Sequence, residues 1–208
     1  MHRHNSFNKV GEVCPYRPTY DFHPFIDDYH RSLATCPTKG GLVELGIEGW
    51  LWREDALKLY EMAHFCRGSI LELGTYHGLS TSIMAHTGKR IVTVDISAES
   101  QAFARKDVKG DIDFIVSDAA QAVRDLADKR QKFGFSFVDH SHAYQPVHDV
   151  CQVLPLVLSS GAFVLFHDWN DERNGNDPNY GVHQAVADGL EGFEFWGCFG
   201  CMGLFRWP

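Results

Sequence analysis

Ser69-Ile70-Leu71-Glu72-Leu73-Gly74-Thr75-Tyr76-His77-Gly78-Leu79-Ser80-Thr81 is the stretch on which the fold turns. A short apolar run, Ser69–Leu73, leads into a turn bracketed by two glycines, and a helical pattern over 78–87 follows. Outward from it the same alternation repeats. Apolar runs at Arg90–Asp95, Asp113–Ser117, Gly134–Asp139 and Ala162–His167 are separated by helical patterns at 98–107, 119–131 and 145–159, with another at 180–190. Near-continuous apolar strands alternating with helices predict a parallel sheet covered on both faces. The end differs. Phe193–Trp196 and Cys201–Trp207 are strand-like and joined by so short a turn that they must run antiparallel. Upstream, Trp52–Cys66 reads as a helix, with Ala56, Leu59, Tyr60, Ala63 and Cys66 at helical spacing and Glu54 and Asp55 in its first turn. Residues 1–40 read as a proline-punctuated arm, with a disordered first dozen residues and a short helix within Asp21–Leu33. Residues 41–208 form the main domain.

The chain has 208 residues, 44% hydrophobic and 22% charged. That fits one globular domain, which at this length buries roughly 70% of its unfolded surface and needs no disulfide or metal to fold. No apolar run approaches a membrane span, and the N-terminus leads into no apolar signal segment. The net charge of −8, without a basic stripe, argues against a nucleic-acid partner. Lys129-Arg130-Gln131-Lys132 suits a helix end, where cations complement the macrodipole. The six cysteines lack framework spacing and read as reduced thiols in a cytoplasmic protein, with Cys198 and Cys201 packed in the terminal hairpin.

Ligands of open α/β sheets sit beyond the carboxyl ends of the strands. After the first strand come Glu72, Gly74, Tyr76, Gly78 and Ser80. The second ends in Asp95, 21 residues after Gly74, where a carboxylate suits a ribose diol. The third ends in Ser117-Asp118-Ala119, suited to an adenine amino group. This ordered set points to an adenosine-containing ligand. A dinucleotide turn wants glycine where Tyr76 and Leu79 stand, so a ligand without phosphates, S-adenosylmethionine, fits better than a nicotinamide cofactor.

Leu71 to Ser80 resembles motif I of the class I S-adenosylmethionine-dependent methyltransferases, most nearly the catechol O-methyltransferase-like branch. Gly49-Trp50-Leu51, Glu54-Asp55-Ala56 and Leu59-Tyr60-Glu61 look like the lead-in helix of a bacterial small-molecule methyltransferase group. In that group a Val-Asp…His…Tyr segment and a His-Asp pair follow the fourth and fifth strands, and this chain resembles it there with Val138-Asp139-His140-Ser141-His142-Ala143-Tyr144 and Phe166-His167-Asp168-Trp169. The resemblance spans roughly residues 45–207. It implies an α/β, Rossmann-like fold: a mostly parallel seven-stranded sheet with an antiparallel C-terminal strand and helices on both faces. It also implies cofactor contacts, Glu72 and Gly74 on the methionine part, Asp95 on the ribose, Asp118 and Ala119 beside the adenine. Tyr76, Gly78, Ser80 and Asp139 complete the expected cofactor set. Plainer readings stand beside these: Glu72 caps the following helix, and Asp118 is an N-cap.

For the reacting side, the branch holds a divalent cation on carboxylates after the fourth and fifth strands and places a lysine base three residues after the first carboxylate. Here that position is His142, and histidine as a residue type can take a proton from a hydroxyl near neutral pH. Asp139, His167 and Asp168 would then hold Mg²⁺ or another divalent cation. The alternatives are Asp139 on the cofactor, a packed His140, and a His167–Asp168 pair with no ion. Trp169 and Tyr144 are pocket-wall or core residues, and the polar stretch 171–179 is either a lid or a solvated loop. The expectation is methyl transfer to a small-molecule hydroxyl. A catalytically silent S-adenosylmethionine-binding protein and a nicotinamide-dependent oxidoreductase are the alternatives. A homo-oligomer is left open.

Overall fold

A computed structural model describes residues 14, 16–20 and 24–208. The expected disorder of the first dozen residues lies outside them. In chain order, α1 is Asp28–Thr35, β1 Thr38–Lys39, β2 Leu42–Val43, α2 Arg53–Phe65, β3 Ser69–Leu73, α3 Leu79–Ala85, β4 Ile91–Asp95, α4 Ala98–Asp107 and β5 Ile112–Val116. Then come α5 Ala119–Asp128, β6 Phe133–Val138, α6 Tyr144–Val153, β7 Leu158–Phe166, α7 Arg173–Asn176, α8 Val182–Gly189, β8 Glu194–Phe199 and β9 Met202–Arg206. No helix among the described residues is long and apolar enough to cross a membrane.

The main sheet runs β5-β4-β3-β6-β7-β9-β8. Every pair from β5 to β7 is parallel, and β9 pairs antiparallel with both β7 and β8. This is the expected seven-stranded arrangement. Alternate strand residues serve opposite faces. Leu71 and Leu73 face a core closed by Val123, Leu126, Val150 and Ala185 of α5, α6 and α8. Ile70, Phe135 and Phe137 face a second core, closed by Leu33, Leu59 and Ile83 of α1, α2 and α3.

Element ends shift for local reasons. α1 starts at Asp28 because Asp27 caps it, its Oδ1 accepting the His30 amide at 2.8 Å. The helix expected over 145–159 stops at Val153, since Pro155 supplies no amide hydrogen. The chain tightens into a 3₁₀ turn at Leu154–Leu156, and β7 then starts at Leu158 rather than Ala162. The sequence reading did not anticipate the hairpin β1–β2, which turns on Gly40 and Gly41 at φ 61° and 94°.

The chain moves outward from β3 to β4 and β5, then returns to lay β6 on the other side of β3. That reversal opens a crevice beyond the carboxyl ends of β3 and β6. Gly74 closes its floor. A Cβ on Gly74 would lie 2.0 Å from the Asp139 carbonyl oxygen, and its φ of +103° favours glycine independently.

Candidate active site

The cofactor-side residues gather around the β3–α3 turn. Glu72 is fully buried beneath it. Its carboxylate accepts hydrogen bonds from Ser80 Oγ at 2.5 Å, Thr81 Oγ1 at 2.5 Å and Thr93 Oγ1 at 2.6 Å. Burial pushes its pKa up to about 7, against the three hydroxyls that lower it and with Asp139 adding to the rise. Glu72 and Ser80 thus spend these polar atoms tying β3 to α3 and β4. Asp95 holds the turn from the next strand. Its Oδ2 accepts the amides of Thr75 at 3.0 Å and Tyr76 at 2.7 Å, and its Oδ1 that of Ser97 at 2.8 Å. A carboxylate has about four acceptor positions, so capacity remains for a ligand hydroxyl.

Tyr76 sits in the left-handed region at φ 44°, its hydroxyl donating to Glu48 Oε1 at 2.9 Å and its ring stacked on His77 at 4.0 Å. Gly78, at φ +91°, lets α3 pack on α4; a Cβ there would meet Val108 at 2.7 Å and Ala104 at 2.9 Å. Asp118 is exposed and caps α5, accepting the Gln121 amide at 3.0 Å, beside the buried Ala119. Ile96, 76% exposed directly after Asp95, adds an apolar surface that the sequence reading missed.

Beyond β6 and β7 the second group assembles. His142 Nε2 lies 2.9 Å from Asp168 Oδ2, and Asp139, His142 and Asp168 each offer a donor atom within 4.8 Å of the others. Asp168 is buried, whereas the His142 side chain is 48% exposed. His167 lies one step deeper. Its Nδ1 is 3.2 Å from Asp168 Oδ2 and 3.5 Å from Asp139 Oδ1 without an aligned hydrogen bond to either. Its Nε2 turns to Asp55 and Cys201. The donors that converge most openly are therefore Asp139, Asp168 and His142, with His167 behind them. Burial alone would lower the His167 pKa, but Cys201, Asp139 and Asp168 around it outweigh that and hold it well above the usual value. Asp168 is held below the usual carboxylate range: burial opposes this, and His167 and His142 prevail. His140 turns inward, Nε2 3.3 Å from the Pro146 carbonyl, and burial pushes its pKa down.

The stretch after β7 is a brace. Asp168 sits at φ 56°, a conformation costly for a non-glycine residue. Asn174 Nδ2 donates to the carbonyls of Asp168 at 2.8 Å and Asp171 at 2.9 Å, and Arg173 Nη2 lies 3.4 Å from Asp168 Oδ1. Tyr180 stacks on His142 at 4.7 Å, Arg173 lies over the Tyr180 ring at 4.3 Å, and the Gly181 amide donates to the His142 carbonyl at 2.7 Å. Trp169 is core, packed on Phe195 and Phe205, and Tyr144 is exposed. Asp55 and Tyr180 were missed in the sequence. Asp55 had a signal: it stands one helical turn before Leu59, on the apolar stripe of α2.

Sheet order, glycine turn and the loops beyond β6 and β7 define a class I methyltransferase fold. Residues 71–169 match the family model Methyltransf_24, a methyltransferase domain, over just under half of the chain. Over those residues the chain is similar to a methyltransferase domain. Among similar solved structures is the N-methyltransferase NodS of Bradyrhizobium japonicum with S-adenosylhomocysteine, TM-score 0.60 at 18% identity, covering 88% of this chain and 100% of that one. The O-methyltransferase TomG of Streptomyces achromogenes, in complex with S-adenosylmethionine, gives 0.59 at 17%, covering 88% and 90%. An O-methyltransferase from Bacillus cereus with S-adenosylhomocysteine gives 0.57 at 17%, covering 86% and 90%. No curated protein matches the chain significantly. The antiparallel β9 and the family match tell against a nicotinamide-dependent oxidoreductase.

Proposed function

We propose that this methyltransferase modifies a hydroxyl oxygen of a small molecule and that His142 takes the acceptor proton. The observation that carries the reading is the contact between His142 Nε2 and the buried Asp168 carboxylate, at the mouth of the crevice. S-adenosylmethionine supplies a methyl group already activated on a sulfonium. The chain's task is then to align the acceptor and remove its proton. Asp95 offers its spare acceptor capacity to the ribose, Ile96 and the Asp118–Ala119 turn flank the adenine, and the turn Gly74–Gly78 lies along the methionine part. Asp168 orients the imidazole and stabilises it once protonated, and Tyr180 and Arg173 hold that arrangement from outside.

A divalent cation such as Mg²⁺ suits the same place, because two carboxylates at this spacing repel unless neutralised. Asp139 and Asp168 would hold it, and it would acidify the acceptor hydroxyl. Without it, His167 supplies the neutralising charge.

The test is turnover against a panel of hydroxylated and amine acceptors. His142→Ala is expected to lower turnover by ~10²–10⁴ while S-adenosylhomocysteine affinity stays nearly unchanged. Equal loss of cofactor binding would make His142 structural, and transfer to amines alone would move the chemistry to nitrogen. Cofactor binding without transfer to any acceptor would favour a silent binding protein. EDTA should abolish transfer and Mg²⁺ or Mn²⁺ restore it. Full activity in metal-free protein removes the cation and leaves His142 as the base.

A further inference from the structure

Behind the active-site carboxylates lies a second set of donors, of which only His167 also enters the methyl-transfer reading. Asp55 of α2, His167 after β7 and Cys201 in the β8–β9 turn are all buried. Asp55 Oδ2 is 3.3 Å from Cys201 Sγ and 3.5 Å from His167 Nε2, and Nε2 is 3.4 Å from Sγ. Tetrahedral zinc, with bonds of about 2.3 Å to sulfur and about 2.0–2.1 Å to nitrogen and oxygen, holds its ligands about 3.3–3.6 Å apart. The three edges of the cluster have those lengths.

Two of the donors, Asp55 and His167, are also aimed from behind, as ligands in metal sites are. Asp55 Oδ1 accepts the Cys201 amide at 3.0 Å, which turns Oδ2 toward the other donors. Gly200 makes this approach feasible, since a Cβ there would lie 1.8 Å from Asp55 Oδ1. His167 Nδ1 faces Asp168 and Asp139 at 3.2 and 3.5 Å, the carboxylate–imidazole arrangement that fixes a metal-bound ring. Hydrogen bonding alone explains the set less well. A thiol is a weak donor and a poor partner for a carboxylate removed from water, whereas mixed sulfur, nitrogen and oxygen donors suit zinc.

We propose that Asp55, His167 and Cys201 form a zinc(II) site with water in the fourth position. It is separate from the group Asp139, His142 and Asp168 and does not depend on the methyl-transfer reading. Binding releases two protons, one from the Cys201 thiol and one from His167 Nε2, whose lone pair then takes the ion. The ion joins α2 to the β8–β9 turn and fixes the ring whose other face meets the active-site carboxylates.

The test uses the full reduced chain, stripped with chelator and titrated with Co²⁺ as the spectroscopic substitute for zinc. A near-ultraviolet thiolate-to-cobalt band saturating at one ion per chain and removed by Zn²⁺ is expected. Cys201→Ser should abolish the band. Cys198→Ser and Asp139→Asn should keep it, the latter excluding the outer carboxylate group as its source. X-ray absorption at the zinc edge of the wild-type chain needs no variant to fold and should show one sulfur with nitrogen and oxygen neighbours. Absence of the band in folded protein, its survival in Cys201→Ser, or a zinc shell without sulfur overturns the proposal.

Discussion

Glu72 places a carboxylate where the strand pattern calls for an apolar side chain. Burial raises its pKa to about 7, with the Ser80, Thr81 and Thr93 hydroxyls opposing. An acid with a folded pKa above its unfolded one binds more protons when folded, so stability falls as pH rises between the two values. From the ordinary value of 4.5 to about 7 the loss comes to about 3 kcal/mol. Glu72→Gln, which cannot ionise, should therefore gain on the wild type by about 2–3 kcal/mol between pH 5 and pH 8, read by urea unfolding at both. An unchanged difference at the two pH values would mean that Glu72 does not ionise over this range. At this scale the sequence was partly legible. An isolated Glu in a strand and an Asp before a helix announce themselves. The contact between His142 and Asp168 does not, because it depends on β6 and β7 being neighbours and on the brace at Arg173–Tyr180.

α2 shows where periodicity stops being informative. Its stripe of Ala56, Leu59, Tyr60 and Ala63 was readable; the burial of Lys58 and Glu61 alongside Asp55 was not. All three are buried to 0% because the arm and the terminal hairpin cover that side. Glu61 accepts from Lys58 Nζ at 2.9 Å, from Tyr16 at 2.8 Å and from Thr19, while Lys58 also donates to the Arg17 carbonyl at 2.7 Å. The arm is thus docked through a buried ion pair. Burial lowers the Lys58 pKa and Glu61 counteracts it. Lys58→Met strands a buried carboxylate and should cost about 3–5 kcal/mol, with cleavage in the arm appearing early in limited proteolysis. Lys58→Met combined with Glu61→Leu should cost less than the single change. At the β3–α3 turn, Gly74→Ala adds a methyl 2.0 Å from the Asp139 carbonyl at an unfavourable φ. It should destabilise by more than about 2 kcal/mol and weaken S-adenosylhomocysteine binding, since the loops after β3 and β6 must part. Wild-type affinity in that variant would place the cofactor elsewhere.

For the whole molecule, cofactor binding is read as heat resistance. S-adenosylhomocysteine at a hundredfold over its Kd should stabilise by about 2.7 kcal/mol, raising the Tm of a chain this size by about 5–10 °C. NAD should leave Tm unchanged, and Asp95→Ala should erase most of the S-adenosylhomocysteine shift. The reverse preference would remove the cofactor assignment. The sheet was largely legible, because each parallel strand and its helix form a local unit. What escaped is what joins distant segments: the arm on α2, and Asp55 on Cys201, 146 residues away. The inserted strand β9 also governs the order of events in folding. Until residues 202–206 slide between β7 and β8, Phe163–Phe166 offers an open row of amides and carbonyls on an apolar ribbon, a template for another chain. A nascent or clipped polypeptide lacking that strand is the aggregation-prone species. The pairing of β9 with β7 is a long-range contact, and the Asp55–Cys201 hydrogen bond forms only once the β8–β9 hairpin is docked.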